Sequence, residues 1–547
     1  MRPIPAVILL TLLCLPLQFW NLTDLGLYNT QEAIRVNVAR EMQHAGEWLL
    51  PTRNAEPYIA KPPMVYWCQI ALARLRGATV SEFDLRLNAA LWGWLGVLAT
   101  YFTARTLLRP PPGDPSPAPG GTAQPIDAPF WSATILAVGV LFSLSARVGE
   151  IDVMLAAPVT AAIGFSHASW RSALERGRLR WTCVLGATLC AAVAAFVKGP
   201  AGLIVIACGA VAPILLYAAL HRGAPRLGKS VVSRPLWLFR QLESTHFILM
   251  LGAPPALLWL WLRHCKGRIG EEAFARLIAF ETADNLRWLD PGAWRYAEVL
   301  AYALGVFTPL AFFGLWAVAR HRRGGRAVHP GLIAAACWFI AGVAVFALTT
   351  KGVGRYLTPV WPAMAILAAV GLRAWAARER YPARIALIAV TALLAQAGAL
   401  AWWHAFGRTT AWADRSPRDF MREVLTHADP AHLGSLNFNF DAFDYYAGRS
   451  IEVWSDGRFG APVSDLAARL HSAPAQPYWL LVLEENDANR RSFGSAVSDL
   501  AAVGLAFENI PIEAPYRRPP GDARVLLWKV RPHAPTSTPA SAPAPVR

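Results

Sequence analysis

The sequence predicts a polytopic α-helical membrane protein with a small α/β domain appended near its C-terminal end. Three observations carry this. The chain of 547 residues is 55% hydrophobic and only 16% charged, against about 25% charged residues in soluble domains. Apolar runs close to the roughly 20 residues that span a bilayer recur along most of its length. Lys and Arg gather in alternate short loops, which is the positive-inside pattern. The formal charge of +16 therefore gives orientation and does not point to nucleic acid, which would need a basic face or tail.

Taken in order, Arg2 and the apolar run Ile4–Trp20 read as an uncleaved first span starting in the cytoplasm, because no small-x-small cleavage site follows. The segment 21–86 is then an outer loop. Within it Glu32–His44 has helical spacing and Met64–Leu75 is too short to span, so it reads as an interfacial helix. Pro51, Pro57, Pro62 and Pro63 interrupt the backbone, giving two or three short surface helices joined by turns.

Leu87–Leu108 is the second span, and the Pro-, Gly- and Ser-rich tract 110–129 reads as a disordered cytoplasmic linker. Further spans follow at Phe130–Ala146, Val153–Trp170, Trp181–Val197, Ala201–Leu220, Phe247–Leu262, Val299–Ala319, Leu332–Thr349, Leu357–Trp375 and Ile385–Trp403. That makes about eleven, an odd number that leaves the C-terminal part outside. A charged outer segment, Arg263–Tyr296, separates two of them.

The domains are accordingly residues 1–407 in the membrane, an α/β domain over 408–532 and a disordered tail over 533–547. In the α/β domain Leu436–Phe440, Tyr478–Leu483 and Arg524–Val530 read as strands, and Arg415–His427 and Phe493–Val503 as helices. Seven cysteines, mostly inside apolar runs, have no CxxC pair and no metal-ligand spacing with His. They read as small hydrophobes, not as a disulfide framework or a metal site.

This topology puts Glu32, Arg35, Lys61, Arg147, Asp152, Lys198, Arg287, Lys351 and Arg355 at one membrane face. Charges at the lipid boundary cost energy unless they pair, face water or bind something, and several cations with two acids suit an anionic, lipid-borne substrate. Each has a plainer explanation. Lys198 and Arg355 sit at helix ends, where snorkelling or the helix dipole accounts for a cation. Arg147 with Asp152, and Glu32 with Arg35, read equally as surface ion pairs. Tyr58, Tyr66, Trp67 and Trp288 read as an interfacial aromatic belt.

Taken jointly, the motifs resemble those of the polyprenyl-phosphate-sugar glycosyltransferases, which include the protein O-mannosyltransferases and the lipid A aminoarabinose transferase. The string Leu25–Met42 and then Asn54–Trp67, with Glu56-Pro57-Tyr58, Lys61-Pro62-Pro63 and Tyr66-Trp67, is similar to that family's first outer loop. Arg86–Leu91, Arg147–Leu155, Lys198-Gly199-Pro200 and Lys351–Pro362 follow in the order of its later motifs, over roughly Met1–Trp403.

The resemblance implies a glycosyltransferase C-type fold in a bacterial inner membrane, with the active site and the C-terminal domain on the periplasmic side. It implies a polyprenyl-phosphate-linked sugar as donor, an acceptor hydroxyl on lipid A, another envelope glycan or a protein, and membrane lipid as partner. By position Lys61 matches the lysine that binds donor phosphate, Asp152 an acid needed for activity, and Arg287 a second phosphate-binding residue. Arg355 and Lys351 join the phosphate-binding set. Gln31, Arg35, Tyr58, Arg147, Lys198 and Tyr356 line the substrate cavity, and Glu32 or Asp152 takes the acceptor proton.

Two departures bear on this. The family pattern has Asp-Glu where this chain has Gln31-Glu32, and a glutamine neither accepts a proton nor ligates metal as a carboxylate does. Ala60 stands where the aminoarabinose transferase has an acid before its lysine, which removes its metal-associated glutamate and speaks against that particular substrate. A divalent metal is left open as cofactor. The competing readings are a lipid-linked sugar flippase and a catalytically altered glycolipid-binding protein. The charges cluster at one face, and no internal repeat of the kind transporters carry is visible.

Overall fold

The computed structural model describes the chain apart from residues 1, 28–29, 110–125, 177, 215, 217–234, 286–289, 324–328, 351, 408–414, 439, 456–459, 474–476, 485–494, 515, 519–522 and 533–547. It divides into two compact units: Met1–Asp24 with Val38–Thr409, and Leu25–Asn37 with Thr410–Arg547. The linker expected over 110–129 falls largely, and the tail wholly, outside the described residues.

The first unit is a helical membrane bundle. After α1 (Pro3–Cys14) comes α2 (Thr30–Ala45), whose residues from Val38 onward belong here. Then follow a two-stranded hairpin of β1 (Thr52–Arg53) and β2 (Glu56–Pro57), and α3 (Met64–Leu75). The outer loop thus holds two helices and a hairpin where two or three helices were expected. α4 (Glu82–Leu107) begins where Ser81 and Asp84 form a reciprocal capping box, with Asp84 also paired to Arg76 at 2.5 Å. Its Arg86 is fully buried and donates to the Leu22 carbonyl at 2.9 Å.

A helix stands at each of the eleven expected spans. Among the described residues six are long and apolar enough to cross a membrane, or seven if one bent pair counts as a single span. Three others, Pro3–Phe19, Ala128–Ala137 and Pro200–Ile214, are shorter apolar helices. The remaining one, α4, carries Glu82, Asp84, Arg86 and Arg105 along its 26 residues.

Two spans read as continuous are broken. Phe130–Ala146 consists of α5 (Ala128–Ala137) and α6 (Val140–Ser145), split at Val138 and Gly139. Val299–Ala319 runs from α12 (Arg295–Tyr302) into a segment bent by 102° at Gly305, whose φ of 61° lies in the left-handed region that glycine adopts without strain. Between α6 and α12 come α7 (Ile151–Arg176), α8 (Trp181–Lys198), α9 (Pro200–Ala210), α10 (Pro235–Ile269) and α11 (Glu271–Asn285). The helix expected to end at Leu262 continues to Ile269, and most of the charged segment beyond it is the helix α11.

Broken helices in a membrane free backbone groups that no water can satisfy. Gln396, on α16 (Pro382–Trp402), answers both breaks. Its amide nitrogen, Nε2, donates to the Val138 carbonyl at 2.6 Å and the Leu304 carbonyl at 3.0 Å. Its Oε1 accepts from the Val306 N–H at 2.9 Å. Local hydropathy does not reveal this, since one residue serves two distant loops. Between them α13 (Thr308–Arg323), α14 (Pro330–Thr349) and α15 (Trp361–Ala376) complete the bundle. Gly314 and Gly371 let α13 and α15 touch backbone to backbone: a Cβ at either would lie 2.0 or 2.1 Å from a carbonyl oxygen of the other helix.

The second unit is an α/β domain. Its strands are β3 (Leu433–Leu436), β4 (Glu452–Trp454), β5 (Tyr478–Leu483), β6 (Leu505–Ile510), β7 (Arg517–Arg518) and β8 (Ala523–Pro532), in the order β4-β3-β5-β8-β6 with β7 beside β8. β3 pairs parallel to β4 and β5, and β8 antiparallel to β5 and β6. The strand expected over Leu436–Phe440 ends at Leu436, because Asn437 turns into the left-handed region at φ 62°. Phe438 and Phe440 look like alternating strand residues, but they pack edge-on against Phe443 of the helix Asp441–Ala447. The expected helices shorten to Arg418–His427 and Ala496–Ala502.

Leu25–Asn37 is held within this unit. The Tyr446 hydroxyl accepts from the Leu27 N–H at 2.8 Å, and Asn37 Nδ2 donates to the Asp441 carbonyl at 2.7 Å. Gly26 is required there, since a Cβ would lie 2.3 Å from Ser416 Oγ and 2.5 Å from the Tyr446 hydroxyl oxygen.

Replacing Gln396 by Leu leaves two buried carbonyls and one N–H without their partner. The expected loss is about 2–4 kcal/mol, with the detergent-solubilised protein melting several degrees lower in a thermal-shift measurement.

Candidate active site

The site assembles where α7 begins, α8 ends and a 3-10 turn (Gly354–Val360) leads into α15. Asp152 lies in the first turn of α7, where a carboxylate complements the positive end of the helix dipole, and Lys198 in the last turn of α8, where a cation complements the negative end. The two form an ion pair through Lys198 Nζ and Asp152 Oδ1. The Asp152 side chain is only 2% exposed and that of Lys198 16%.

Gly199, at φ 62°, stops α8 immediately after the lysine, and Pro200 starts α9. The cation is thus fixed at a sharp corner. Arg355 completes the cluster: its Nε is 3.3 Å from Glu150 Oε2 and 3.8 Å from Asp152 Oδ2, and its Nη1 donates to Glu150 Oε1 at 3.3 Å. Thr358 Oγ1 donates to the Arg355 carbonyl at 2.6 Å and fixes the turn. Lys198 Nζ sits 4.1 Å from the Tyr356 ring centroid, an approach that a desolvated cation finds favourable.

Lys61 lies within electrostatic range of Lys198, as does Arg355. Three cations therefore face two acids in a mostly buried setting. Ammonium and guanidinium groups gathered in this way are donors of the kind that bind phosphate oxygens. Tyr296 adds a hydroxyl bonded to Thr350 Oγ1 at 2.8 Å, close enough to Asp152 and Asp290 to feel their charge.

The structure thus gathers Asp152, Lys198, Arg355 and Tyr356, with Lys61 nearby. Arg147 is buried and donates from Nη2 to the Asn21 carbonyl at 3.2 Å, and Tyr58 leaves the hairpin with its N–H on the Pro51 carbonyl at 2.8 Å. Gln31, Glu32 and Arg35 belong to the other unit. There Glu32 is fully buried, and Arg35 Nη2 donates to Gln31 Oε1 at 3.2 Å one turn back along the helix. Arg287 and Lys351 lie outside the described residues.

Sequence reasoning passed over Glu150. Its signal was present, an acid two residues before Asp152 in the same turn, but nothing in the sequence showed that Arg355, 205 positions away, would select it. Among the described residues no group of three or more His, Cys, Asp or Glu side chains could hold a metal ion, and the two acids of the cluster are engaged by cations. Among the described residues the donor set of the cluster does not fit a resident metal.

No family model matches this chain. An uncharacterized protein of Aquifex aeolicus (strain VF5) is 26% identical over 358 residues, 64% of this chain and 61% of that protein, so the match spans less than two thirds of the relative's length. Among solved structures, ArnT from Cupriavidus metallidurans bound to undecaprenyl phosphate superposes with a TM-score of 0.66 at 17% identity, covering 96% of this chain and 97% of that one. The same protein in the apo state gives 0.64 at 16% identity, with the same coverage. The chain therefore has the glycosyltransferase C-type fold expected from its motifs, in a multi-pass membrane protein with a small C-terminal sheet domain.

Breaking the buried pair from one side should be costly. Lys198→Met strands the Asp152 carboxylate and is expected to destabilise by about 3 kcal/mol. Adding Asp152→Asn should recover part of that loss, because a neutral amide demands no cation, and thermal melts of the two single variants and the double variant measure the coupling.

Proposed function

We propose that the protein is a membrane glycosyltransferase that moves a sugar from a polyprenyl-phosphate donor to an acceptor hydroxyl at the extracytoplasmic face of a bacterial inner membrane. The observation that carries this is the cluster of Asp152, Lys198, Arg355 and Tyr356 with Lys61 nearby, set in this fold. The ArnT structure with the same fold was solved with undecaprenyl phosphate, which supports a lipid phosphate as the anion.

In this reading Lys61, Lys198 and Arg355 hold the donor phosphate. An arriving phosphate competes with Asp152 and Glu150 for the same N–H donors, and so frees the Asp152 carboxylate. The acceptor oxygen attacks the anomeric carbon, the bond from that carbon to the phosphate oxygen breaks, and its electron pair leaves with the polyprenyl phosphate. The acceptor proton passes to Asp152. The cations offset the charge that grows on the departing phosphate, a contribution realised mainly in the transition state. A phosphate is already a stable leaving anion, so no strong general acid is needed. The assignments of Glu32, Arg287 and Lys351 rest on the sequence motifs alone.

Purified protein in liposomes should bind undecaprenyl phosphate at least about tenfold more tightly than undecaprenol, a difference of about 1.4 kcal/mol, and lose that preference in Arg355→Ala. It should also transfer radiolabelled sugar from an undecaprenyl-phosphoryl donor to envelope glycolipid extract, with Asp152→Asn lowering the rate at least about a hundredfold. Equal binding of alcohol and phosphate, together with no transfer from any donor of a sugar panel, would overturn the proposal.

A further inference from the structure

Lys61 follows closely on a hairpin that one carboxylate from another element holds in shape. β1 and β2 are joined by a two-residue turn, Asn54 and Ala55, in the register Thr52 to Pro57 and Arg53 to Glu56. Both turn residues have positive φ, 54° for Asn54 and 63° for Ala55. Positive φ at both central positions is the mark of a type I′ turn, which normally takes Asn-Gly. Asparagine tolerates this region, whereas alanine pays for its Cβ. The sequence thus places a poor residue at a position where glycine would serve, and something else must hold the turn.

Glu41, in the last turns of α2, is that support. Its carboxylate accepts three hydrogen bonds from the hairpin: Thr52 Oγ1 at 2.8 Å, the Asn54 N–H at 2.7 Å and the Ala55 N–H at 3.2 Å. The two N–H groups belong to the turn residues themselves, so the carboxylate binds the turn conformation directly. Three residues separate Pro57, at the end of β2, from Lys61. Along that path the Tyr58 N–H bonds to the Pro51 carbonyl at 2.8 Å and Ile59 is buried beside Leu50, Trp261 and Cys265. Beyond Lys61, Pro62 and Pro63 lead straight into α3. The lysine is therefore held on one side by a helix start and on the other by the hairpin.

The geometry points to Glu41 as a positioning residue that sets Lys61 for donor phosphate by clamping the Asn54–Ala55 turn. This deepens the reading above and rests on Lys61 being a phosphate ligand. Glu41 touches no substrate in this scheme; it acts through the backbone between residues 52 and 61. Because the clamp compensates for the alanine, a glycine at position 55 should make the turn stand without it.

The test uses full-length protein in detergent with undecaprenyl phosphate as probe. Glu41→Ala is expected to weaken binding about tenfold and to speed amide exchange at Asn54 and Ala55. Ala55→Gly alone should leave binding near the parent value, and in the Glu41→Ala background it should restore most of the affinity and the amide protection. Lys61→Ala should weaken binding to a similar degree, with no rescue by Ala55→Gly. Unchanged binding in Glu41→Ala, or loss that the glycine does not repair, would overturn the inference. Unchanged binding in Lys61→Ala would overturn the phosphate assignment instead, and amide exchange, read without ligand, would still report whether Glu41 holds the turn.

Discussion

The absence of water in the hydrocarbon region is the constraint on which this architecture depends. Every polar group placed there needs a partner from the chain itself. Gln396 shows how this works on the backbone, with one amide side chain closing two helix breaks that lie about 165 residues apart in sequence, at Val138 and Leu304. Arg86 does the same for the start of the bundle by reaching the Leu22 carbonyl. The breaks are tolerated because these partners exist, and the breaks in turn let α6 and α12 adopt directions that a straight span could not.

The same constraint shapes the charged cluster. Asp152 and Lys198 each sit at the helix end whose dipole suits them, and each then satisfies the other. A carboxylate and an ammonium buried together gain little over apolar residues of the same size, so the pair is weak grounds for a purely stabilising role. What the arrangement does provide is a set of pre-oriented N–H donors on Lys198 and Arg355, balanced by acids in the resting state. An incoming anion can exchange for those acids without further desolvation of the cations, which lowers the cost of binding it.

The first outer loop serves two masters. Its early part, Leu25–Asn37, is bonded to residues of the C-terminal unit through Tyr446 and Asp441. Its later part is organised by the second half of α2, where Glu41 holds the hairpin turn, and Gln43 accepts from the Val80 N–H at 2.7 Å while donating to the Ala78 carbonyl at 3.0 Å. Glu47 ties the loop to α10 through Arg268 at 3.3 Å, and the N–H groups of Leu49 and Leu50 hold its carboxyl below the usual carboxylate range. Motif residues that are neighbours in sequence thus answer to separate local structures.

By itself the sequence determined what depends on composition and local pattern. Apolar runs separated by Arg-rich loops pointed to the membrane class and to where the apolar helices lie, because lipid solubility and helical length are additive along the chain. The start of α3 at Met64 and the strand Tyr478–Leu483 were legible for the same reason. Only the tertiary structure decided the rest. Whether Phe130–Ala146 is one helix or two turns on Gln396, which lies more than 250 residues away. The strand after Leu433 stops at Leu436 because Phe438 and Phe440 are claimed by an aromatic cluster with Phe443, which alternation alone cannot foresee. Glu150 and Lys198 became parts of a site through Arg355 and Asp152, partners 205 and 46 positions distant. Pairing energies of buried charges depend on distance in space, and no local pattern in a single chain encodes that distance.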